Sequence, residues 1–98
     1  MQFSAKVTEY QKNKMLNICD FELLGKDIIQ NELTMNISKS YYGGQVVNKD
    51  EAENLLKTSS IINMVGKDTV SLSIELGIGS EKGVKIISGV PFLIVFQM

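Results

Sequence analysis

Phe3, Ala5 and Val7 alternate with Ser4, Lys6 and Thr8, the period of two that marks a half-buried strand. The polar run Gln11-Lys12-Asn13-Lys14 predicts a hairpin turn, and Met15 to Cys19 a returning strand. Asp20 is placed to cap a single helical turn, Phe21-Glu22-Leu23-Leu24, with Gly25 at the left-handed exit. Ile28-Ile29 is short and extended. Leu33, Met35 and Ile37 alternate with Thr34, Asn36 and Ser38 as a further strand. Tyr41-Tyr42-Gly43-Gly44 then breaks the pattern, and the paired glycines predict a turn that exploits positive φ.

Gln45-Val46-Val47 continues extended. Asn48 followed three residues later by Glu51 is a capping-box spacing, and Ala52, Leu55 and Leu56 supply the apolar stripe of the helix it starts. A second helical segment is expected from near Ser59 to Val65, ending at Gly66. A third starts about Asp68, with Val70 and Ile74, and Leu72 and Leu76, spaced i,i+4 up to Gly77. Val84 to Ile87 reads as a strand, and Gly89-Val90-Pro91 as a turn or bulge, because Pro91 cannot donate to a ladder. Phe92-Leu93-Ile94-Val95-Phe96 has no polar alternation, so it needs cover on both faces, in mid-sheet or at a subunit interface. The pattern sums to one α+β domain over residues 1–98. A mostly antiparallel sheet, built from N-terminal hairpins and C-terminal strands, carries central helices on one face.

Composition narrows the chemistry. The 98 residues are 44% apolar with a net charge of −1, so no strong field draws in nucleic acid or anionic membrane. There is no His, hence no Ser-His-Asp triad and no Cys-His pair. Cys19 is the single cysteine, which precludes an internal disulfide and reads as a buried, inert thiol. One Cys without His cannot fill a structural zinc shell, and no calcium-loop spacing occurs, so neither metal nor cofactor is expected. All basic residues are Lys, which removes bidentate guanine reading. With no apolar run of membrane-span length and no secretory pattern, a cytoplasmic protein is expected.

Tyr41-Tyr42-Gly43-Gly44-Gln45-Val46-Val47, the acidic helix start that follows, Ile61-Ile62-Asn63-Met64-Val65-Gly66, Glu75-Leu76-Gly77 and Gly89-Val90-Pro91 recur in one order and spacing. The set resembles an archaeal family of roughly hundred-residue proteins, domain of unknown function 424, across essentially the whole chain. That family has no established activity. The placement of its genes among translation genes implies a role near the ribosome, an initiation factor or tRNA. Relatives carry His just after the Gly-Val-Pro motif, where this chain has Phe92, so no acid–base role is carried over.

Tyr41, Tyr42, Gly43, Gly44 and Gln45 form the first candidate binding segment. Aromatics beside a Gly-Gly turn can stack a base or ribose, and the competing reading packs the tyrosines on the core. Asn63 is the second candidate, either a ligand-contacting amide or a buried polar group fixing a helix–helix corner. Lys6, Lys12 and Lys14 around the first hairpin, with Lys82 and Lys85 near a late strand, are the candidates for weak direct RNA contact. The leading expectation is a non-enzymatic binding module of translation or RNA metabolism, docking a protein or ribonucleoprotein through Tyr41–Val47. Two rivals stand beside it: a small enzyme using Glu51, Glu53 or Tyr42, and a homodimer pairing Phe92–Phe96 across a two-fold axis.

Overall fold

The computed structural model describes residues 1–97. β1 (Phe3–Tyr10) and β2 (Asn13–Asp20) pair antiparallel through a two-residue turn, Gln11-Lys12, with φ of 50° and 69°. Positive φ at both central residues is what a right-twisted hairpin requires. A 3₁₀ turn, Phe21–Leu23, leads into the hairpin of β3 (Asp27–Gln30) and β4 (Leu33–Asn36), which forms a separate two-stranded sheet. The chain then makes a short helix α1 (Lys39–Tyr42), an edge strand β5 (Gln45–Val47) and the helix α2 (Lys49–Thr58). The capping box at α2 is formed as expected: Glu51 N–H donates to Asn48 Oδ1 at 2.9 Å and Asn48 N–H to Glu51 Oε1 at 3.0 Å.

The expected helix from Ser59 to Val65 is instead a strand, β6 (Ile61–Val65), running parallel to β2 in the middle of the sheet. Its apolar residues Ile61, Ile62, Met64 and Val65 suit a helix or a strand covered on both faces, and the cores on either side of it decide for the strand. α3 (Lys67–Glu75) follows, then β7 (Lys85–Ile87) and β8 (Val90–Phe96). The main sheet has the order β5-β1-β2-β6-β8-β7, mixed α+β and antiparallel except at β2–β6. The turn near Pro91 is Ser88-Gly89, and Val90 and Pro91 already belong to β8. Pro91 has no N–H to give the facing Gly66 carbonyl, which accepts Val70 N–H at 3.0 Å instead and so is not left unpaired.

Ladder register sorts the side chains. Phe3, Ala5, Leu16, Ile18, Ile62, Met64 and Leu93 share one face, where Ala52 and Leu56 of α2 and Val70 and Leu72 of α3 close the larger core. Cys19, Val65, Val90 and Phe92 lie on the other face, under a smaller core with Ile28, Ile37, Met35 and Tyr42. The β3–β4 hairpin and α1 therefore cover one end of the second face. Toward the other end Met15 and Ile61 are half-buried, and Ile94 and Phe96 are 60% and 70% exposed.

Candidate functional site

α1 starts at Ser38, whose Oγ accepts Tyr41 N–H at 3.2 Å. A four-residue helix leaves its C-terminal carbonyls without helical donors. Side chains of the sheet supply them. Lys6 Nζ donates to the Ser40 carbonyl at 2.7 Å, Asn17 Nδ2 to Tyr41 at 3.1 Å and Ser4 Oγ to Tyr42 at 2.9 Å. The two tyrosines are thus clamped to β1 and β2, their rings edge to face at 5.1 Å and 69°. Tyr42 turns into the smaller core, where burial pushes its phenol up to about 12. Tyr41 remains 49% exposed.

The expected Tyr-Tyr-Gly-Gly turn is accordingly a helical turn followed by extended chain. Gly43 has an ordinary φ of −88°, so positive φ is not the reason for it. A Cβ at Gly43 would collide with the Lys39 carbonyl, and one at Gly44 would meet the Ala5 carbonyl at 2.9 Å. Close backbone approach requires both glycines.

Asn63 lies on β6 rather than at a helix corner, directly across from Asn17 in the parallel register, and donates to Asn17 Oδ1 at 2.7 Å. The amide chain Asn63–Asn17–Tyr41 crosses from β6 through β2 to α1. Beside it opens a groove of about 370 Å³, lined by Tyr41, Tyr42 and Asn63 together with Met35, Lys85, Phe92 and Ile94. No carboxylate lines it. An aromatic wall, an amide and one ammonium group over an aliphatic floor can hold a flat or apolar group and orient it by a few polar contacts.

Three of the six expected binding residues meet here. Gly43 and Gly44 shape the backbone outside the groove, and Gln45 begins the exposed edge strand β5. Lys6 is engaged with α1, while Lys12 and Lys14 sit at the far hairpin, so the N-terminal lysines do not gather into one patch. The rival catalytic set is not assembled either. Glu51 is engaged in its capping box, and Glu53 also lies on α2, whose buried Ala52 and Leu56 pack on the opposite sheet face from Tyr42. Missed in the sequence were Asn17 and Met35, and Lys85, expected only as a basic contact for RNA, lines this groove instead. The signal for Asn17 was available: Leu16-Asn17-Ile18 and Ile62-Asn63-Met64 each set one amide inside an apolar strand, the sign of a cross-strand polar pair.

A second polar node was also missed. Asp20 makes no bond to the 3₁₀ turn it precedes; its carboxylate caps α3 instead. Oδ1 accepts Thr69 N–H at 2.8 Å and Thr69 Oγ1–H at 2.7 Å, and Oδ2 accepts Asp68 N–H at 3.1 Å. Gly66, at φ 109°, lets the chain pass over this carboxylate, and a Cβ there would overlap it. Burial raises the Asp20 pKa above the usual value, and the three hydrogen bonds oppose that rise. An open recess of about 240 Å³ lies beside it, lined by Glu22, Lys67 and Pro91 among others. Asp20, Glu22 and Asp68 bring carboxylate oxygens within 4.8 Å of one another. Both Asp20 oxygens accept from protein donors, so within this cluster Asp20 serves as the cap of α3.

No helix of the described residues is long and apolar enough to cross a membrane. Among curated proteins nothing matches the chain. The fold is similar to that of an uncharacterized conserved protein from Methanopyrus kandleri, with a TM-score of 0.81 at 20% identity over 100% of this chain and 95% of that one. The family model described as protein of unknown function, DUF424, matches residues 8–98, as the ordered motifs led us to expect, and the chain belongs to that family.

Proposed function

We propose that this chain is a non-enzymatic binding module, a cytoplasmic archaeal protein that docks a protein or ribonucleoprotein partner of translation or RNA metabolism. The observation that carries the reading is the convergence of Tyr41, Tyr42 and Asn63 on one carboxylate-free groove, with Tyr41 half exposed at it. The titratable groups near it support binding over catalysis. Tyr42 and Cys19 are both held protonated, each pushed up to about 12 chiefly by burial, which removes the phenolate and the thiolate as nucleophiles. The near-neutral chain and the scattered lysines favour contact with protein over contact with bare phosphate. The link to translation rests on the family resemblance alone.

A pulldown from native lysate tests this, with and without RNase, comparing wild type with Tyr41→Ala. Tyr41 is the informative position because its ring is half exposed, whereas removing the Tyr42 ring would also damage the smaller core. Translation components should be recovered regardless of RNase and lost with Tyr41→Ala. Recovery that disappears with RNase, or that survives Tyr41→Ala, overturns the reading.

A further inference from the structure

The main-chain groups of β8 point alternately to its two edges. Pro91 and Gln97 bond toward β6, Pro91 O accepting Gly66 N–H at 2.9 Å and Gln97 N–H donating to Ser60 O at 2.7 Å. Phe92, Ile94 and Phe96 therefore face the opposite edge. There β7 ends its pairing at Lys85 opposite Phe92. The segment before β7 turns onto the helix face, where Gly79 and Gly83 approach the Leu93 side chain. The N–H and C=O of Ile94 and Phe96 are thus left on an open edge, without a strand partner among the described residues. A recess of about 280 Å³, lined by Gly83, Lys85, Phe92 and Ile94, runs along it.

The sheet has a second open edge for comparison. β5 covers β1 only from Phe3 to Ala5, leaving the rest of β1 unpaired on that side. That stretch carries Lys6 and Glu9, the charges by which exposed edges are kept from pairing. From Val90 to Phe96, β8 carries no charge, and Ile94 and Phe96 stand mostly exposed on one face. Such an edge is built to be paired.

We infer that the occupant is a second copy of this chain, joined β8 to β8 in antiparallel register about a two-fold axis at Val95. In that register Ile94 lies opposite Phe96 of the partner and Phe96 opposite Ile94. All four unpaired main-chain groups of each copy are then bonded, because both positions fall at hydrogen-bonded pairs of the ladder. Each exposed apolar side chain gains an apolar neighbour across the strands, and a net charge of −1 per chain adds little repulsion. The match is reciprocal, Ile94 to Phe96 and Phe96 to Ile94, as a two-fold contact requires.

Sedimentation equilibrium over a dilution series of the full chain tests the inference. Wild type should dimerise, and Phe96→Lys should weaken self-association by more than about tenfold through lost burial and an unmatched charge. The register is read by two doubly substituted chains. Ile94→Lys with Phe96→Glu places opposite charges across the axis and should self-associate several-fold more tightly than Ile94→Lys with Phe96→Lys, which places like charges there. A wild type that stays monomeric, a Phe96→Lys chain that dimerises unchanged, or equal behaviour of the two double variants overturns it. These readouts are independent of any bound partner.

Discussion

Replacing Asp20 by alanine removes the joint between the end of β2 and the start of α3. Its carboxylate is 2% exposed and accepts from Thr69 N–H, Thr69 Oγ1–H and Asp68 N–H at 2.7–3.1 Å. Thr69 is fully buried, so its two donors are orphaned, whereas Asp68 lies nearer solvent, where water can replace the lost acceptor. An unsatisfied buried donor costs about 1–3 kcal/mol, and relief of the desolvated carboxylate offsets part of the sum, leaving a loss of about 2–4 kcal/mol. Against a total stability of roughly 5–15 kcal/mol that is a large fraction, equivalent to roughly 10–30 °C in Tm for a domain of this size. Urea unfolding followed by circular dichroism measures it. A loss below about 1 kcal/mol, the value of an ordinary exposed cap, would refute the assignment of Asp20 as a buried cap.

The same residue sets a pH signature. Burial raises its folded-state pKa above the unfolded value, with the Asp68 charge adding and the Thr69 and Asp68 donors opposing. Between the two pKa values the folded state therefore holds more protons than the unfolded one. The stability that Asp20 contributes is full below its unfolded pKa and declines as pH rises through its folded pKa. Glu22 and Asp68, the neighbouring carboxylates, are present in both wild type and Asp20→Asn, so the difference between those proteins isolates the effect. That difference should fall as pH is raised from about 3 to about 7, and a rise over the same range would contradict the sign.

Gly66→Ala should destabilise by about 2–4 kcal/mol in thermal melts, because φ of 109° is strained for any side chain and the new Cβ overlaps the Asp20 carboxylate. Ser73→Ala should be neutral or stabilising by up to about 1 kcal/mol in the same assay, since Ser73 Oγ is buried without a hydrogen-bond partner and alanine is the better helix former. Cys19 should resist alkylation in the folded protein and react on unfolding. A thiol pushed from 9.0 to about 12 has roughly a thousandfold less thiolate at a given lower pH, and rapid labelling of the native chain would count against that burial.

What could be read from the sequence was what local rules decide. β1 followed from strict alternation, β2 as the strand returning after the polar Gln11–Lys14 turn, and α2 from its capping box. α3 began one residue before the expected Asp68 and ended before Gly77, whose φ is 75°. What could not be read depends on partners distant in the chain. β6 became a strand because two cores press on it from opposite sides, a fact absent from five residues taken alone. Asp20 followed the local rule for a cap but met a stronger demand 49 residues away, at the buried Thr69. The groove shows the same division. Tyr41 and Tyr42 were candidates on local grounds, whereas Lys85 joined them only when β7 and β8 closed the sheet.

The unequal cover of the two sheet faces leaves Ile94 where the groove meets the open edge of β8. A chain of 98 residues buries a limited share of its surface, and here two helices close one face completely enough to leave Leu16, Ile18 and Ile62 fully buried. The β3–β4 hairpin and α1 reach only as far as Tyr41 on the other face, so Ile94 borders both the groove and the open edge of β8. Pairing across that edge would bring Phe96 of a second copy beside Ile94, at the rim of the groove. A groove ligand that gains favourable contact with this added wall would bind the dimer more tightly than the monomer. By reciprocity, the same ligand must tighten the dimer by the same factor. The proposed self-association and the proposed partner binding, which rest on separate observations, would then meet in one aliphatic side chain.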